Sequence, residues 1–70
     1  MTNSTINIIK LNIKKYREKC NLTQEQLSEI AGISSDYLSE SERGKKTPSL
    51  KRLFKIADAM NIPAYKLLKP

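Results

Sequence analysis

The chain has no histidine, and among its 70 residues there is a single cysteine. The missing histidine removes the commonest metal ligand and the commonest general base. One cysteine, Cys20, rules out an intramolecular disulfide framework. It follows the helical run Ile9, Ile13, Tyr16 and is expected as a small buried apolar side chain. A redox role would lack a basic or resolving partner in the sequence. There is no Cys/His pairing, no glycine-rich phosphate loop and no metal-ligand cluster, so the residues give an enzyme little support and call for no cofactor and no metal. No apolar run approaches membrane-spanning length. The N-terminus shows neither the charged region nor the apolar segment of a signal peptide, which makes the cytoplasm the default location. Repeats, low-complexity tracts and strand patterns are also absent. With no effector-sensing domain in view, no small-molecule effector is expected.

What is there is basic. Thirteen Lys and Arg against seven Asp and Glu give a formal net charge of +6. In so small a domain this favours a polyanionic partner, although charge alone does not exclude a merely soluble basic protein. A hydrophobic content of 39% suffices for one thin core. Chains this short often gain stability from an oligomeric partner.

The pattern along the chain is helical throughout. Residues Met1 to Thr5 are polar and expected to be a loose tail, with one domain from Ile6 to Pro70. A first helix is expected over Ile6–Lys19, with Ile9, Ile13 and Tyr16 on one face and Lys10, Lys14 and Lys15 outward. The stretch Leu22–Ser49 then carries the punctuation of two short helices. Thr23 and Gln26 have capping-box spacing. Gly32 stands where the chain must reverse, and Ser34 offers a second N-cap. This places helices over Gln24–Ala31 and Ser35–Glu42. Leu27, Ala31, Ile33 and Leu38 form their seam, and small Ser28 allows close approach. Such a pair presents its second helix as a rod that fits the DNA major groove. Gly44 and Pro48 bracket a basic loop. A fourth helix is expected over Ser49–Met60, capped by Thr47 or Ser49, with Leu50, Leu53, Phe54, Ala57 and Met60 inward. Pro63 starts a last short helix, Ala64–Leu68.

The segments LTQEQL, AGIS, YLS, ERGKKTPSL and LFKIADAMNIPAYKLL resemble the Cro/repressor-type helix-turn-helix family over Ile9 to Leu68, nearly the whole chain. The resemblance implies an all-α, five-helix lambda-repressor-like domain with its helix-turn-helix at about residues 24–43. It implies a sequence-specific transcriptional regulator of double-stranded DNA, of phage, mobile-element or restriction–modification controller type. An antitoxin is the alternative, for which a neighbouring toxin gene would argue; an antitoxin usually needs a toxin-binding segment, and this chain has almost no residues to spare outside the core.

By that family's register, phosphates are bound by Gln24 at the start of the second helix, by Arg43, Lys45 and Lys46 in the following loop and by Lys51, with Arg52 a weaker candidate. The alternative for these cations is plain solubility, which is preferred for Lys66 and Lys69. Base edges are read from Ser35, Asp36 and Glu40, with Ser34 and Ser39 beside them. Tyr37 either lies along the sugar-phosphate wall, touches a thymine methyl, or packs against the second helix. No Lys or Arg lies between Cys20 and Glu42. An arginine fork onto guanine from within the recognition helix is therefore unavailable, whereas carboxylates accept from the cytosine amino group. Glu40 is alternatively a solvated acid.

The resemblance also implies that Glu42 turns inward and pairs with Arg17. Ser41 departs from the family, which has a large apolar residue there. A serine leaves a shallow gap or bonds back to a helix carbonyl. Filling such a gap would stabilise by ~1 kcal/mol or more, so Ser41→Ile is expected to raise the melting temperature. The family pairs through its C-terminal helix and the loop before it, which implies a homodimer patch of Ile62, Pro63, Ala64, Tyr65 and Leu68. Ile62 and Leu68 are alternatively ordinary core.

Overall fold

A computed structural model describes the backbone of residues 2–70 and the side chains of residues 5–70. It contains α1 (Thr2–Lys19), α2 (Gln24–Ala31), α3 (Ser35–Glu42), α4 (Leu50–Ala59) and α5 (Tyr65–Leu68), and no strand among the described residues. The expected loose tail is a correction: α1 runs from Thr2, and only Met1 lies outside the described residues. No proline or glycine interrupts residues 1–19, so nothing in the backbone chemistry stops the helix from extending towards the N-terminus.

Local signals place the central pair. Thr23 Oγ1 accepts the Gln26 N–H at 3.0 Å while Gln26 Oε1 accepts the Thr23 N–H at 2.9 Å, a complete capping box. Gly32 closes α2 at φ 72°, in the left-handed region that its missing Cβ permits. Ser34 Oγ caps α3 by accepting the Tyr37 N–H at 3.0 Å. Four helices end alike: a left-handed residue, Asn21, Gly32, Gly44 or Asn61, is followed by one whose N–H reaches back five residues. Those N–H groups belong to Leu22, Ile33, Lys45 and Ile62.

The core comprises Ile9, Ile13, Leu27, Leu38, Leu53, Ile56, Ala57, Met60 and Leu67. Helix α1 packs on α3 and α5, and α2 packs on α3 and α4. Ser28 and Ala31 are buried at the seam, as their size suggested, and Ile33 is partly buried against it. Helix α4 corrects the expected inner face. Ile56 is fully buried, whereas Leu50 is 64% and Phe54 49% exposed. The apolar arc of α4 is wider than its neighbours cover, and the covered part is the stripe Leu53, Ile56, Ala57, Met60. Cys20 is also corrected: it is exposed. Helix α1 ends at Lys19, so Cys20 has left the register of Ile9, Ile13 and Tyr16. An unanticipated tie comes from Asn12, buried on the apolar stripe of α1. Its Nδ2 donates to the carbonyls of Leu67 at 3.1 Å and Lys69 at 2.6 Å, fastening the end of α5. No described helix is long and apolar enough to cross a membrane.

Candidate nucleic-acid interface

The orientation of α3 is set at its C-terminal end by Glu42. The Arg17 and Glu42 side chains are only 12% and 3% exposed and form a two-pronged pair. Arg17 Nε donates to Oε2 at 2.7 Å and Nη2 donates to Oε1 at 3.0 Å. A third donor, Gln24 Nε2, reaches Oε1 at 2.9 Å, and Arg17 Nη1 donates to the Leu22 carbonyl at 2.8 Å. One carboxylate therefore joins α1, the first turn of α2 and the last turn of α3. The hydrogen bond to Glu42, ahead of the opposing effect of burial, holds the Arg17 guanidinium above its ordinary pKa. Gln24 is thus committed inward by one N–H; its amide has a second N–H left for a phosphate.

Along α3 the faces separate as a projecting rod requires. Leu38, Ser41 and Glu42 are buried, and Ser34, Ser35 and Asp36 are exposed, with Ser39 and Glu40 half-buried. Ser41 is 1% exposed, and its Oγ donates to the Tyr37 carbonyl at 2.9 Å, so the second of its two expected behaviours is the one observed. Tyr37 shows polar contacts not with α2 but with the loop and α4. Its hydroxyl oxygen accepts the Ser49 N–H at 3.1 Å, just where Ser49 caps α4. Glu40, expected either to read a base edge or to be a solvated acid, pairs with Lys46 at 3.2 Å in an ion pair whose members are 40% and 47% exposed. A lysine six residues further along the chain is close because α3 ends in a reversal at Gly44 that folds the loop back along the helix.

That reversal differs from the other three. At the other three left-handed helix ends the next residue, Leu22, Ile33 or Ile62, is apolar and packs on the core. After Gly44 the corresponding residue is Lys45, and it is exposed. A scaffold position has been given a cation. Arg43, Lys46, Lys51 and Arg52 are exposed around it. Gly44 itself is crossed by Lys10: a Cβ there would stand 3.0 Å from Lys10 Cδ and 3.7 Å from Nζ, which brings one more cation to this edge.

At the C-terminal end, Pro63, Tyr65 and Leu68 are exposed. Leu67, not Leu68, fills the core, so Leu68 is free for a surface role at 47% exposure. Ile62 and Ala64, both in the expected homodimer patch, are partly buried against the core. The chain turns left-handed at Asn61, and Ile62 folds inward behind it.

A helix-turn-helix family model matches residues 13–67. The chain is 39% identical over 61 residues to the control protein C.SmaI of Serratia marcescens, a match spanning 87% of this chain and 73% of that protein. The restriction-modification controller protein C.AhdI from Aeromonas hydrophila has a similar structure, with a TM-score of 0.87 at 26% identity over 91% of this chain and 97% of that one. SinR of Bacillus subtilis, the master regulator for biofilm formation, was solved in complex with DNA; it matches with a TM-score of 0.84 at 34% identity over 87% of this chain and 98% of that one.

Proposed function

Since the chain belongs to the helix-turn-helix family of DNA-binding transcriptional regulators, we propose that it is a sequence-specific repressor that binds a palindromic operator as a homodimer. The observation that carries this reading is the anchoring of α3. Its last turn is locked to α1 and α2 through Glu42, while its first turn stays exposed with Ser34, Ser35 and Asp36 outward. A rigidly held helix with a free polar face is what major-groove readout needs.

In this reading affinity and specificity come from different residues. Gln24, Arg43, Lys45, Lys46 and Lys51 bind phosphates and set the register. Ser35, Asp36 and Glu40, flanked by Ser34 and Ser39, read base edges. Carboxylates accept from cytosine amino groups and repel phosphates, which penalises wrong registers. One such helix covers few base pairs. A second copy of the chain, related by a twofold axis, would place its own α3 about one turn of B-DNA away, ~34 Å. Exposed Pro63, Tyr65 and Leu68, with partly buried Ile62 and Ala64 beside them, are the proposed interface, and Leu50 and Phe54 are further uncovered apolar residues that it could use. The likeness to C.SmaI and C.AhdI favours a restriction–modification controller as the setting over an antitoxin.

Selection of bound duplexes from a random pool tests this. A palindromic motif with half-sites one turn apart is the expected product. Recovery of no motif, or of an unpaired half-site by a protein that sediments as a monomer on DNA, would defeat the dimeric reading.

A further inference from the structure

Tyr37 stands against two cations that come from outside its own helix. Lys46 Nζ is 5.0 Å from the ring centroid, and the Arg52 guanidinium carbon is 4.7 Å from it. Its hydroxyl oxygen accepts the Ser49 N–H, which leaves the O–H proton to donate elsewhere. Among the described residues Arg52 has no carboxylate partner, and Lys46 has only the half-buried Glu40. Arg52 and Lys51 also occupy the first turn of α4, which contains no acidic residue. That is the end of a helix where the backbone dipole disfavours positive charge. Two cations share one ring against their mutual repulsion. Glu40 offsets Lys46, but Arg52, at a helix end whose dipole disfavours it, has no carboxylate partner among the described residues, and a local rule broken in this way marks functional surface.

We propose that Tyr37 is a positioning residue, holding Lys46 and Arg52 as a clamp for one DNA phosphate at the edge of α3, with Arg52 making the contact and Tyr37 reading no base. The clamp rests on the DNA-binding reading above. It makes Arg52, which the sequence ranked below Lys51, a primary phosphate contact.

The test measures binding of the selected operator duplex against salt concentration for the wild-type chain and for Arg52→Gln, Tyr37→Phe and Tyr37→Leu, with helicity followed in parallel. Arg52 is exposed, so Arg52→Gln is expected to fold normally and to lower the slope of log affinity against log salt by about 0.9, the share of one phosphate contact. Tyr37→Phe retains the ring and should retain both slope and affinity. Tyr37→Leu should weaken binding by roughly three- to five-fold, the cation–π attraction of an exposed site expressed as affinity, and leave the selected sequence unchanged. An unaltered slope in Arg52→Gln overturns the clamp. So does a changed motif for Tyr37→Leu, which would make Tyr37 a base reader. Salt-insensitive or absent duplex binding by the wild-type chain overturns the DNA-binding reading itself, and the clamp with it.

Discussion

Glu42 accepts three hydrogen bonds in a setting that leaves its side chain 3% exposed. Such a carboxylate contributes little net stability while paired and costs heavily when one partner is removed. Arg17→Ala should therefore destabilise the fold by roughly 3 kcal/mol, seen in thermal melts as a fall of more than about 10 °C for a domain of this size. The raised pKa of Arg17 fixes the pH window. A cation favoured in the folded state contributes fully at every pH below its unfolded pKa and is lost only as pH rises through the folded value, so this contribution fades only in strong alkali. Ser41 is the opposite case. Its hydroxyl bonds only to the Tyr37 carbonyl, which the helix ladder already serves. Ser41→Ala removes no unique partner and adds helix propensity, so its melting temperature should be unchanged or slightly higher. A clear fall in Ser41→Ala would show that the hydroxyl holds α3 in place. A fall confined to Ser41→Ile would show that the space around it is already filled.

Between elements, the reversal after α3 shapes the proposed interface. Gly44 takes φ 76°, and a Cβ there would press on Lys10. The flexible lysine stem can yield, but the left-handed backbone cannot become cheap for alanine. Gly44→Ala should cost about 1 kcal/mol in denaturant unfolding, close to the cost at Gly32, where the surrounding space is open. The same reversal brings Lys46 back to Glu40. Their roles are therefore coupled. Glu40→Ala should relax selection at one position of each half-site and, by freeing Lys46, tighten binding to random duplexes. Lys46→Ala should weaken all sites and flatten the salt slope. A selected motif that survives Glu40→Ala intact removes Glu40 from base readout.

Across the whole molecule the charges are segregated. Five of the seven acidic residues lie within residues 21–42, and every lysine and arginine lies outside that span. In the proposed reading, attraction to a polyanion comes from the borders of the helix-turn-helix, and the acidic helix offered to the groove opposes nonspecific contact. Among the described residues, four of the six exposed large apolar residues lie on the last two helices, Leu50 and Phe54 on α4 and Tyr65 and Leu68 on α5; Leu11 on α1 and Ile30 on α2 are the others. Phe54→Glu should change the melting temperature little, because the ring is half exposed. It should shift sedimentation from dimer to monomer and lower operator affinity. A dimer that persists with Phe54→Glu excludes this flank of α4 from the interface.

The sequence by itself determined the helices of the motif and their ends. Caps and reversals act within a few residues, so Thr23 with Gln26, Ser34 and Gly32 could be read in place, and α2 begins and ends, and α3 begins, where those residues put them. Asn21 and Asn61 make the same left-handed reversals as the glycines but were not legible, because asparagine is at home in many other conformations. Only the tertiary structure decided which arc of each helix its neighbours cover. That choice put Ile56 inside and Phe54 outside, and Leu67 inside and Leu68 outside. It likewise decided the contacts of Tyr37 with Ser49, Lys46 and Arg52 and of Glu40 with Lys46. These depend on how α3 and α4 are rotated against the core, and that rotation is settled by packing of the whole set of helices, not by any one segment's pattern.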